Sequence, residues 1–150
     1  MLPALPYLEI ASCFYATIFV GFGFLWFINP AKALSFFELP YPKVDSKTLE
    51  KKRTGEMQRI IDAFRFAYGV RNIFMGAAIY AAALCGTTQA LGWIVIAAGC
   101  VAGTDGAVCK LIVGKGEMNH WSYAPVLIVL GSASLGAFDG ISGLGGLLKS

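Results

Sequence analysis

Four stretches of this 150-residue chain are apolar over the length a helix needs to cross hydrocarbon: Tyr7–Ile28, about Met57–Leu84, about Thr88–Val113 and about Trp121–Phe138. A helix rises about 1.5 Å per residue and the hydrocarbon core is about 30 Å thick, so roughly 20 such residues suffice. No water is present there to pair backbone N–H and C=O groups, and a helix pairs them within the segment itself. The expected fold is therefore all-α. It is a four-helix transmembrane bundle, up-down in topology, forming one integral membrane domain over residues 1–150.

Composition agrees. The chain is 57% hydrophobic and only 14% charged, with a mean hydropathy of +0.65, against roughly 25% charged in soluble domains. A net charge of +3 without a basic stripe or interleaved aromatics excludes nucleic acid as a partner. Each apolar run ends at a breaker: Asn29-Pro30, Gly86, Gly114 with Gly116, and Asp139-Gly140. The tail Ile141–Leu148 is too short and too glycine-rich for another span. No basic n-region precedes the first run, which is too long for a signal h-region, so it is expected to be a true span.

The one substantial loop, Asn29–Glu56, carries Lys32, Lys43, Lys47, Lys51, Lys52 and Arg53, and the third loop is flanked by Lys110 and Lys115. Basic residues stay cytosolic, so loops one and three are expected there, with both termini opposite. In a eukaryotic cell the membrane would be the endoplasmic reticulum. Ala31–Phe37 is expected either as a plain connector or as a short interfacial helix resting Leu34, Phe36 and Phe37 among headgroups. Among the glycines, Gly99-x-x-x-Gly103, Gly69 with Gly76, and Gly131 with Gly136 are candidates for close helix contact. The cysteines Cys13, Cys85, Cys100 and Cys109 show no C-x-x-C or zinc spacing and are expected as small buried hydrophobes.

Within these spans sit Glu9, Asp62, Arg65, Arg71 and Asp105. A lone charge in hydrocarbon costs roughly 2.5–3.5 kcal/mol, so such groups must meet each other, water or a ligand. At about 100° per residue, Gln58, Asp62, Arg65, Tyr68, Gly69, Asn72 and Gly76 form one polar and small stripe, with Arg71 turned about 120° away. Asp62 and Arg65 are spaced for an intrahelical pair. Counting depth from the shared membrane face puts Arg65 and Asp105 each about 12 Å inside, as partners. Arg65 would then lie between Asp62 and Asp105, with Tyr68 and Asn72 adding hydrogen bonds. His120 belongs at the cytosolic mouth. Glu9 and Asp139 fall near the opposite face, where they can meet. Phe64, Phe74, Met75, Trp93 and Trp121 are the candidate apolar lining.

The run Arg65-Phe66-Ala67-Tyr68-Gly69-Val70-Arg71-Asn72, followed by Gly92-Trp93, Asp105 and His120, resembles a family of small four-span integral membrane proteins of fungi and bacteria. That family is a domain of unknown function, loosely similar to DoxX-like proteins, and the resemblance covers roughly residues 7–140. It implies a four-helix bundle with Arg65, Arg71, Asp105 and His120 as its characteristic polar set. Proteins of this general type accompany fungal polyketide and terpenoid pathways, where they resemble hydrolases, isomerases or cyclases.

The chemistry expected of such residues is acid/base work on a lipophilic small molecule, most concretely epoxide opening by water or by an internal hydroxyl. One carboxylate takes the nucleophile's proton while an acid protonates the leaving oxygen. Asp105 is the expected base and Asp62 the acid, or the reverse, with Arg65 orienting both and Tyr68 as another acid. Arg71, Asn72, His120, Glu9, Trp93 and Trp121 complete the candidate binding set. No metal and no cofactor are expected, since no clustered ligands, P-loop or dinucleotide fingerprint is present. Two other classes stand beside the enzyme: a membrane scaffold whose buried charges lock its helices, and a proton-coupled transport element, which a homo-oligomer could make workable.

Overall fold

The computed structural model describes residues 5–41 and 48–139, with side chains over 6–41 and 55–139. Lys43, Lys47, the side chains of Lys51, Lys52 and Arg53, and the tail 141–150 lie outside the described residues. All regular elements are helical: α1 (Leu5–Ile28), α2 (Pro30–Ser35), α3 (Thr48–Cys85), α4 (Thr88–Val108), α5 (Met118–Trp121) and α6 (Ala124–Ser134).

The breakers act as local chemistry requires. The Asn29 side chain accepts the Lys32 N–H at 3.0 Å, and Pro30 opens α2, where its missing N–H costs nothing. Thr87 caps α4 in the same way through Ala90 N–H at 3.1 Å. That cap makes the α3–α4 connection a tight hairpin. At its far end α4 loosens into a π-helical turn, Cys109–Val113. There the Gly114 N–H reaches back five residues to the Cys109 carbonyl at 2.8 Å, and Gly114 takes φ +83° to stop the helix.

Packing is by antiparallel pairs, α1 chiefly on α3 and α4 chiefly on α6. Glycines set both seams. A Cβ on Gly76 would lie 2.6 Å from the Ala16 carbonyl, and one on Gly69 2.7 Å from the Phe27 ring. Across the other seam a Cβ on Gly131 would lie 2.6 Å from the Gly92 carbonyl, and one on Gly99 2.9 Å from Ile128. Gly103 has open space around its α-carbon, so the expected Gly99–Gly103 pair contributes one packing residue, not two. Gly136 serves as a stop at φ +81°, not as a contact.

Among the described residues three helices, not four, are long and apolar enough to cross a membrane: Pro6–Ile28, Gly55–Cys85 and Thr88–Val113. The expected fourth span is broken near its start: α5 ends at Trp121, Ser122 and Tyr123 form a turn, and Pro125 sits in the first turn of α6. At 11 residues α6 is about 16 Å long. The segment nonetheless returns antiparallel along α4, from Trp121 against Gly106 to Leu135 against Gly92.

The stretch after α1 also departs from expectation. Ala33, Leu34 and Phe37 are buried, packed with Trp26 and Cys109. Phe36 stacks edge-on against Phe22 with ring centroids 4.4 Å apart. Instead of resting among headgroups, α2 folds inward and covers one end of the helix pairs. Of the cysteines only Cys109 is buried; Cys85 and Cys100 are exposed.

Candidate functional site

A cavity of about 240 Å³ lies under α2. From α1 it is lined by Tyr15, Ile18, Phe19, Phe22 and Trp26, and from the end of α2 by Phe36 and Phe37. Its polar side is Arg71 and Asn72 of α3, Asp105 of α4, and Asn119, His120 and Tyr123 around α5.

Arg71, not Arg65, is the partner of Asp105. Its Nη1 and Nη2 donate to Oδ1 and Oδ2 at 3.2 and 2.6 Å, a bidentate fork. The Asp105 side chain is 9% exposed and that of Arg71 33%. Counted from the α3–α4 hairpin, Arg65 and Arg71 each miss the level of Asp105 by three residues, about 4.5 Å. Depth alone therefore decides nothing. The face decides, because Arg71 is turned toward α4 while the stripe containing Gly69 and Gly76 is turned toward α1.

Arg65 stays on its own helix, its Nε 3.4 Å from Asp62 Oδ1. Gln58 donates to the Tyr41 hydroxyl at 2.6 Å, and Tyr41 donates to Asp62 at 3.1 Å. This separate polar group lies outside the cavity lining, so Asp62 and Arg65 are not brought to Asp105. Tyr68 offers its ring instead of bridging the carboxylates: the Arg71 guanidinium sits 4.2 Å above it, a cation–π contact. Asn72 Nδ2 donates to the Tyr68 carbonyl at 3.0 Å, leaving the cavity to its other atoms.

His120 lines the cavity from a buried position, not from the mouth where the sequence places it. It is only 4% exposed, and its ring lies 4.7 Å from that of Phe37. Nδ1 is 3.3 Å from the Tyr123 hydroxyl, while Nε2 has no hydrogen-bond partner. Burial pushes the imidazole below its ordinary value of 6.5, opposed by Asp105 and the nearby Phe36 carbonyl and reinforced by Arg71. The ring is thus neutral at pH 7. If Tyr123 donates to Nδ1, the proton sits on Nε2 and the ring is a donor; if Nδ1 donates, Nε2 is a base.

The other expected residues fall elsewhere. Trp93 is 64% exposed, and Phe64 and Phe74 also face outward. Trp121 donates its indole N–H to the Gly103 carbonyl at 3.1 Å, and Met75 packs into the core between helices. Glu9 is half-buried on α1, outside the cavity lining, and forms no ion pair with Asp139 among the described residues. No three His, Cys, Asp or Glu side chains come together as a metal group among the described residues.

Trp26, Asn119 and Tyr123 were not evident from spacing. Trp26 is 4% exposed, stacked near Tyr68 and Phe37, with its Nε1–H buried and unpartnered. Its signal in the sequence was weak: an amphipathic ring one turn from the end of an apolar run. Asn119 donates to the Phe36 carbonyl at 3.0 Å and so ties α5 to the cover formed by α2.

No curated protein and no solved structure matches the chain. A family model does, over residues 16–134, and that stretch holds the cavity lining from Ile18 to Tyr123. The chain therefore belongs to the family described as a domain of unknown function, DUF4267.

Proposed function

We propose that this chain is a small integral membrane enzyme that performs acid/base chemistry on a lipophilic molecule held between α1, α3 and α4, most concretely the opening of an epoxide. The observation that carries this is the placement of Asp105, ionically paired yet lining an otherwise largely aromatic hollow beside a neutral histidine. The four-span bundle belongs to the same reading, with the segment from Trp121 onward making the fourth crossing. So does the source of the substrate, a polyketide or terpenoid intermediate, with the endoplasmic reticulum as the eukaryotic location.

Asp105 is the base. Water, or a hydroxyl of the substrate, gives its proton to the carboxylate as its oxygen bonds to an epoxide carbon. The carbon–oxygen bond of the ring breaks, and the released oxygen takes a proton from His120 Nε2, backed by the Tyr123 hydroxyl. Return of the proton from Asp105 to His120 through solvent restores both groups. Arg71 holds the carboxylate in place through its two-pronged contact. Asp62, assigned above as the acid, gives way to His120 because only the latter lines the cavity.

A panel of lipophilic epoxides offered to the purified protein in nanodiscs tests this. Turnover should appear and fall about 10²–10⁴-fold in Asp105→Asn. Folded yield should hold, because the amide oxygen still accepts from Arg71, whose own side chain is one-third exposed. Full activity in that variant, or no epoxide consumed by the parent protein, rejects the assignment.

The scaffold reading keeps one observation of its own: the fork from Arg71 to Asp105 joins α3 to α4 and would fix their register without any reaction.

A further inference from the structure

The charges of the cavity cancel within it. Arg71 and Asp105 neutralise one another through two hydrogen bonds, so the pair offers no net charge to a carboxylate or an ammonium. The opposite wall is aromatic and aliphatic, from Tyr15 to Phe22 on α1. One buried polar atom on α1 beside this wall has no partner, as Arg71 Nε and His120 Nε2 have none on the polar side: the indole Nε1–H of Trp26, which can only donate. A buried donor without an acceptor is unfavourable, and a molecule that brings an oxygen to it relieves that penalty.

We infer that the cavity selects a neutral, largely apolar molecule carrying a carbonyl or ether oxygen, and that Trp26 is the residue that recognises the oxygen. This rests on the cavity being the substrate site but not on the reaction assigned to it. Acceptance requires the indole to turn slightly toward the hollow, since its nitrogen is sealed within the wall. The volume of about 240 Å³ has room for a compact two-ring skeleton. Trp26 then fixes which end of that skeleton approaches Asp105. It is a positioning residue, with no proton to give in the reaction.

The test uses the full chain in nanodiscs, labelled with ¹⁵N at the tryptophan indoles, and three probes of one shape: α-tetralone, tetralin and tetralin-1-carboxylate. α-Tetralone should move the Trp26 indole resonance and leave that of Trp121, which is already bonded to Gly103. Tetralin should bind without moving it, and the carboxylate should bind at least about ten-fold more weakly than the ketone. In Trp26→Phe the ketone should lose about 3- to 10-fold in affinity and tetralin almost none. Bound ketone with an unmoved Trp26 resonance overturns the inference, even if Trp26→Phe folds poorly. So does a carboxylate that binds as well as the ketone, or a cavity that takes no probe and holds only water. Selective ketone binding in a protein that turns over no epoxide leaves this inference standing and removes the reaction.

Discussion

Arg71 and Asp105 exchange two hydrogen bonds where α3 meets α4, but they are not equally buried, and that asymmetry governs what each substitution does. Arg71→Met strands a carboxylate whose side chain is only 9% exposed. It should cost about 3–5 kcal/mol, and adding Asp105→Leu should restore most of that. Arg65→Met should cost no more than about 1 kcal/mol, because Asp62 keeps the Tyr41 hydrogen bond and the pair is partly exposed. Equilibrium unfolding in mild detergent reads all three; equal losses for the two arginines would contradict the pairing. That Asp105 is a buried charge was legible in the sequence, but its partner was not. Two arginines lay at equal distance in depth, and only the choice of which face meets α4 separates them. His120 carries a pH dependence of the opposite kind to an ion pair. Its folded value is depressed, so the unfolded chain takes a proton first as pH falls below 6.5. Stability relative to a His120→Gln variant should be flat above about pH 7 and fall steadily toward pH 5. A difference that grows toward acid would mean the imidazole is charged in the folded protein.

The helices are matched by a spacing of seven more than by the four of a G-x-x-x-G pair. Gly92, Gly99 and Gly106 recur at that interval on α4, and Gly69 and Gly76 on α3, facing Gly23 and Ala16 of α1, again seven apart. Two turns bring a helix back to nearly the same face, so small residues at this interval keep one seam close along its length. The spans themselves were readable from hydropathy, and their ends from Pro, Gly and Asn. Which glycine belongs to a seam was not, because that depends on what the neighbouring helix presents. Gly131→Ala should therefore push α6 off α4 and cost about 1–3 kcal/mol. Gly103→Ala meets open space and should be neutral or stabilising by up to about 1 kcal/mol from helix propensity alone. Thermal unfolding of the two single variants in the same detergent gives the comparison; similar losses would mean the α4–α6 seam is looser than its carbonyl contacts require.

At the scale of the whole molecule the open quantity is the number of crossings. Sequence hydropathy favours a fourth span at Trp121–Phe138, yet Pro125 and Gly136 confine the regular helix to 11 residues. The antiparallel return along α4 runs from the level of Gly106 to that of Gly92, about 21 Å of a roughly 30 Å core. Irregular backbone at membrane depth is tolerated where protein covers it, and the turn before α6 is covered: Trp121 lies on Gly106 and His120 against Phe37. A chain that returns so far beside its partner helix has little left to cross, and an apolar segment gains nothing by stopping short of the far interface. Four crossings put both termini on one side, and three put them on opposite sides. Glycosylation acceptor tags fused separately to the two ends, expressed in microsomes, should both be modified if the basic loop one, with Lys32 on α2, faces the cytosol as the positive-inside rule predicts. Modification of the amino-terminal tag alone would establish three crossings. In that case α5 and α6 would form a hairpin dipping along α4, and the end of the cavity lined by His120 would lie toward the face where the chain ends.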